Sequence, residues 1–250
     1  MEALSPPIRA ITPASDLIKV RAVANLLKVG AALLLFVALL ILAVPRLSAS
    51  FALLPGEAAL ALIEANDAPT RAGSLRAFSA QEAALDVLAD PRPHLNEALI
   101  ALSMVEAGAA EADDQDALLK VAEFHLGRSL AMAPGQARAW MMLAAVRLRQ
   151  GNTDGAAKAL TLSFKADPHA PILATARWPL TFVLDDQLDR DTRQWAHLEF
   201  LAFFRTQPEP ATRMALRLGR IDELRALAAD SDVDAQSLDR VLRRMQSGGA

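Results

Sequence analysis

From Val29 to Val44 the chain reads VGAALLLFVALLILAV, a run without a charged or strongly polar side chain. Eleven of these residues are Leu, Ile, Val or Phe. A core helix of a soluble protein normally keeps one polar face, so a run that is apolar all round predicts a helix in lipid. At about −0.3 to −0.6 kcal/mol per residue, the eleven contribute roughly −3 to −7 kcal/mol to insertion. A helix from Val29 to Pro45 spans roughly 25 Å, against a hydrocarbon core of about 30 Å. Leu26 and Leu27 lengthen it, and Lys28 can snorkel to the interface. The predicted transmembrane helix is residues 23–45, with Pro45 closing it because proline cannot continue a helix. A signal peptide with cleavage near Ser48-Ala49-Ser50 is the closest rival, but the preceding stretch and the apolar run are both long for one.

Beyond Ser50 the pattern changes to apolar residues at helical spacing, punctuated by Pro, Gly and Asp/Asn. Helices are predicted at 57–65, from Ser79 to about Asp90, at 94–107 with Gly108 as C-cap, at 113–132, from Asp191 to Arg205, and at 211–218, 222–229 and 235–245. Ser79–Glu82 and Asp191–Gln194 read as capping boxes. Before the anchor, Pro6, Pro7 and Pro13 mark 1–22 as a disordered tail, although Asp16–Lys28 has a pattern that can extend the anchor helix.

Composition supports the same picture. Hydrophobic residues make up 53 %, and the excess is Ala and Leu, the strongest helix formers. The expected fold class is all-α: a single N-terminal transmembrane helix followed by an α-helical hairpin or solenoid domain over 46–250. Within residues 1–50, Arg9, Lys19, Arg21, Lys28 and Arg46 stand against Glu2 and Asp16, while the whole chain carries −3. Lys19, Arg21 and Lys28 precede the apolar run and only Arg46 closely follows it, so the positive-inside rule places the N-terminus in the cytoplasm and the domain outside, in a periplasm if the cell is bacterial. No clustered Lys/Arg face supports nucleic-acid binding. There is no cysteine, which excludes disulfides and thiolate metal sites.

Pro134 and Pro168 lie 34 residues apart, and between them runs GQARAWMMLAAVRLRQGNTDGAAKALTLSFKADP. With Ala137 as the first position, Trp140, Leu143 and Ala144 occupy the large and small packing positions of a first helix, Gly151 the turn, Ala156 and Leu160 the second helix, and Pro168 the end. The segment 137–170 resembles a tetratricopeptide repeat. A degenerate unit is expected at 103–136, where Ala122, Leu126, Ser129 and Pro134 match by offset but Glu106 stands in place of the aromatic. Arg147 likewise departs from the pattern. In such repeats the first helices line a groove that holds a peptide, and the resemblance implies that Arg138, Met141, Ala145, Leu148 and Arg149 face it.

Catalytic signatures are not found. His94, His125, His169 and His197 are scattered, with no pair at i, i+4 and no His-Glu-x-x-His, so no metal site is expected. No Gly-x-Ser-x-Gly elbow or phosphate loop is present. Asp185, Asp186, Asp189 and Asp191 lack the glycine of a calcium loop and read as solvated loop and N-cap. RWPLTFV at 177–183 reads as core rather than as a docking patch. The expectation is a non-enzymatic scaffold or assembly factor without cofactors, bound to the bilayer through 23–45 and to a protein partner through the helical domain. Anchored proteins of this type serve polysaccharide export, secretion or cytochrome maturation. The alternative is a structural subunit held in such a complex mainly through its membrane helix.

Overall fold

In the computed structural model, residues 14–65, 67–108, 112–229 and 232–247 are described. Among them are eleven α-helices, two short 3-10 turns and no strand. The first, α1, runs without interruption from Ala14 to Glu64. It is followed by α2 (Arg71–Leu85), α3 (Pro91–Glu106), α4 (Ala112–Met132), α5 (Ala137–Arg149) and α6 (Thr153–Ala166). These pair as three helical hairpins, α1 with α2, α3 with α4 and α5 with α6, each docked on the next. A second group closes the chain: α7 (Ala174–Val183), α8 (Arg190–Thr206), α9 (Pro208–Arg217), α10 (Ile221–Ala228) and α11 (Asp232–Ser247).

The continuity of α1 corrects the expected stop at Pro45. Pro45 and Pro55 both lie inside the helix. Each removes one backbone hydrogen bond. Side chains around the first add back-bonds to neighbouring carbonyls. Arg46 Nη1 donates to Leu42 O, Ser48 Oγ to Val44 O and Ser50 Oγ to Arg46 O, each at 2.9 Å. Past Pro45 the helix also gains a packing partner. Ala49, Gly56 and Ala59 are buried at helical spacing, and an ideal Cβ on Gly56 would lie 2.9 Å from Ala77 Cα of α2. The predicted helix at 57–65 is therefore the last part of α1. At the other end, residues 14–22 are already helical, as the pattern from Asp16 implies, while residues 1–13 of the expected tail lie outside the described residues.

Two predicted helix starts are displaced for the same reason: a better cap lies upstream. Helix α2 starts at Arg71, capped by Thr70 Oγ1, which accepts from Gly73 N at 3.1 Å; Ser79 sits mid-helix and donates to Arg76 O. Helix α8 starts at Arg190, where Asp189 Oδ1 accepts from Thr192 N at 2.7 Å. The same bond and the Thr192 hydroxyl hold the Asp189 carboxyl below its usual range. In the capped turns of α5 and α9, Gly151 and Gly219 adopt φ of 78° and 68°. Asn152 N then reaches Arg147 O at 2.9 Å, and Arg220 N reaches Ala215 O at 2.8 Å, satisfying last-turn carbonyls in Schellman fashion.

The boundary expected at 103–136 is also corrected. The first helix of that hairpin begins at Pro91, so residues 103–106 are its end rather than its start. The segment 137–170, by contrast, contains one complete hairpin, α5 and α6.

Two large clusters fill the interior. The first joins α3 to α6, with Ala98, Ala122, Leu126, Ala144, Ala156, Leu160 and Phe164 all fully enclosed. The second joins α7 to α11 around Trp178, Phe200, Phe203, Phe204, Ala215 and Leu224. Arg177 stitches them together. Fully buried, its guanidinium donates to Ser163 O at 2.7 Å, Ser163 Oγ at 3.0 Å, Asp167 O at 3.0 Å and Glu199 Oε1 at 2.6 Å. It also lies 4.5 Å above the Phe164 ring. Ser163 Oγ in turn donates to Ala137 O at 2.7 Å. Burial pushes the Glu199 carboxyl up to about 7 against the pull of Arg177, and it lowers the Arg177 guanidinium.

Two predictions follow from this packing. Gly56→Val should lower stability by about 1–3 kcal/mol, because the new side chain meets α2 backbone; Gly127→Ala, with open space around it, should be neutral or gain up to about 1 kcal/mol. Thermal unfolding of the full-length protein in detergent, followed by circular dichroism, reads both. For Glu199, the raised carboxyl means that the folded state holds a proton the unfolded chain has released. Its contribution is full below the ordinary value of 4.5 and is lost as pH rises through about 7. The urea midpoint of the native protein should therefore fall relative to Glu199→Gln across that window, and an unchanged difference would show that Glu199 does not titrate there.

Candidate functional site

The five residues of the expected groove lie on α5, which packs against α4, α6 and α7. Arg138 is exposed and lies 3.8 Å from Glu64 at the end of α1. Arg149, also exposed, donates to Glu106 at the end of α3 at 2.9 Å. Ala145 and Leu148 are half-buried, and Met141 is buried in the first core cluster at 8 % exposure. The face thus presents two arginines engaged by carboxylates of earlier helices, with a little apolar surface between them. Arg147, which departs from the repeat pattern, is held by Glu123 of α4 at 2.9 Å. Trp140 anchors the start of α5 by donating from Nε1 to Pro134 O at 2.8 Å.

The acidic segment after α7 forms no enclosed site. Asp185 and Asp186 belong to the 3-10 turn Asp185–Gln187, and Asp185, Asp186, Asp189 and Asp191 are all exposed. In the RWPLTFV segment Trp178 is buried and its ring stacks parallel to that of Phe200, so it belongs to the core.

The histidines give a different result. His169 and His197 are exposed on the second half of the chain. His94 and His125 come together across the α3–α4 hairpin, with Nδ1 atoms 3.1 Å apart. Glu97, one turn after His94, completes the group: its Oε2 lies 3.5 Å from His94 Nδ1 and in close contact with His125 Nδ1. All three ligand atoms lie within 4.8 Å of one another. Glu97 is completely buried, and neither carboxylate oxygen has a hydrogen bond of ordinary geometry. Rings close the cluster: Phe78 of α2 and Phe124 of α4 present edges to His125 at 6.2 and 5.1 Å. Burial lowers the His94 pKa, and nearby His125 and Arg128 add to this against the pull of Glu97.

Spacing rules for a metal site on one helix miss this arrangement, because the two histidines are 31 residues apart and meet only when the hairpin closes. One local signal is visible in the chain: His94-Leu-Asn-Glu97 places an imidazole and a carboxylate on one face of a helix. No protein-family model matches the chain, and no curated protein and no solved structure matches it.

Proposed function

We propose that this chain is a membrane-anchored scaffold that holds a partner protein in the cell envelope, with residues 23–45 in the bilayer and the stacked hairpins as the binding module. The observation that carries this reading is the exposure of every residue from Leu27 to Val44, on a helix long and apolar enough to cross a membrane. Water is a poor solvent for such a surface, at about 25 cal/mol per Å² of apolar area. No other part of the described chain covers it, and lipid does so naturally. The positive charge of Lys19, Arg21 and Lys28 before the span supports a cytoplasmic N-terminus and a domain on the far side.

The partner surface proposed is the α5 face with Arg138, Ala145, Leu148 and Arg149, by its resemblance to the groove of tetratricopeptide repeats. Stacked hairpins repeat a helix face side by side, and this architecture lends itself to binding an extended segment. Exposed ion pairs such as those of Arg138 and Arg149 are worth about 0–1 kcal/mol, so a partner carboxylate can displace Glu64 or Glu106 at little cost. Met141 belongs to packing rather than to this surface.

A second reading has its own support. With Met141 buried and both arginines engaged, the free surface on α5 is small, while the span is bare on all sides and a Cβ on Gly30 would meet nothing within 4 Å. A helix of that kind can pack closely on another in lipid. The chain would then be a structural subunit of a membrane complex.

A reporter active only outside the cytoplasm should work when fused after Ala250 and fail when fused before Met1; the opposite pattern would overturn the orientation. Mild solubilisation, pull-down and mass spectrometry of the full-length protein should yield a partner that is lost from Arg138→Glu/Arg149→Glu while helical circular dichroism persists. Retention of the partner by that variant would transfer the interface to the membrane helix.

A further inference from the structure

We infer that His94, Glu97 and His125 form a binding site for a divalent transition-metal ion of the zinc class, which clamps α3 to α4. The inference stands apart from the scaffold reading and does not depend on the identity of a partner.

The donor set has the right chemistry. Two imidazole nitrogens and one carboxylate oxygen are the ligands that zinc and its neighbours accept at about 2.0–2.2 Å, with a fourth position left for water. At such bond lengths a tetrahedral ion holds its ligand atoms about 3.3 Å apart. Two edges of this triangle, His94 Nδ1 to His125 Nδ1 and His94 Nδ1 to Glu97 Oε2, measure 3.1 and 3.5 Å. The third, between His125 Nδ1 and Glu97 Oε2, is shorter. His125 retains some exposure, so its ring has room to open that edge as an ion enters.

Hydrogen bonding alone leaves the group unsatisfied. Glu97 is wholly enclosed, and neither of its oxygens has a hydrogen bond of ordinary geometry. A fully buried carboxylate that faces two imidazole nitrogens but meets neither in ordinary hydrogen-bond geometry is costly for a core to hold. The two Nδ1 atoms point at each other, so a proton on one serves the other or Glu97, but not both fully. A dication accepts all three lone pairs together and cancels the buried charge. The surroundings suit an ion bound for stability: α2 contributes Phe78 beside His125, and the fully buried Gln81 of α2 accepts from Asn96, the neighbour of Glu97. Metal binding here would staple a hairpin whose cores are built largely of alanine.

The test uses the full-length protein in detergent, purified without a histidine tag and stripped by a chelator. Isothermal titration with Zn²⁺ should show one tight site and a rise in unfolding temperature that Mg²⁺ does not give. Co²⁺ in its place should produce the visible absorption of a four-coordinate nitrogen–oxygen site. Glu97→Gln and His125→Ala should each weaken Zn²⁺ binding by at least about tenfold, since even outer-shell partners of a ligand are worth 10–100-fold. His169→Ala/His197→Ala should bind as the native protein does. A native protein that takes up no Zn²⁺ overturns the inference whatever the variants do, as does binding that persists in His94→Ala/His125→Ala or vanishes in His169→Ala/His197→Ala.

Discussion

The buried guanidinium of Arg177 is the constraint on which the packing of the helices after α1 turns. At the end of α6 two carbonyl oxygens, of Ser163 (which also accepts from Asp167 N at 3.2 Å) and of Asp167, point toward the space between the hairpins and the C-terminal helices. Arg177 supplies donors to both, and its charge is favourable at the negative end of the helix. Glu199 accepts from the guanidinium at 2.6 Å and balances that charge once its carboxyl ionises, at about 7. Through Ser163 the network extends to the first turn of α5. One side chain thus links the two hydrophobic clusters, with all three nitrogens of its planar fork donating to a partner. Pairing of this kind adds specificity rather than large net stability, since burial of both charges opposes their attraction.

A second constraint sits at the other end of the domain. Helix α1 changes environment along its length without changing conformation. From Leu27 to Val44 its side chains are exposed on every face, whereas from Ala49 onward one face is buried against α2. The change of partner falls close to Pro45. Beyond it, small residues at Ala49, Gly56 and Ala59 allow α2 to approach. The helix thus joins the apolar span to the first hairpin without a break.

Most helices are legible in the chain because Ala and Leu dominate it and because proline, glycine and aspartate mark its breaks. The helix after Gly108, the hairpin at 137–166 and the short helices after Pro208 fall close to their expected places. The misplaced boundaries share a cause. Ser79 and Asp191 resemble caps in isolation, but Thr70 and Asp189 reach free N–H groups earlier, and the earlier start lets more of each helix face join the core. Pro45 was expected to end a helix because sequence alone weighs only the lost hydrogen bond, without the docking of the following turns on α2.

The amino-acid sequence by itself determined that this chain is helical and that one stretch near its start is long and apolar enough to cross a membrane; both follow from local composition and from the 3.6-residue period. Only the tertiary structure decided which polar groups became neighbours. Arg177 and Glu199 are 22 residues apart, and His94 and His125 are 31 apart. Side chains so distant along the chain meet through the angle and register at which helices pack. That register is set jointly by many small residues such as Ala98, Ala122, Ala144 and Ala156, none of which carries the information alone.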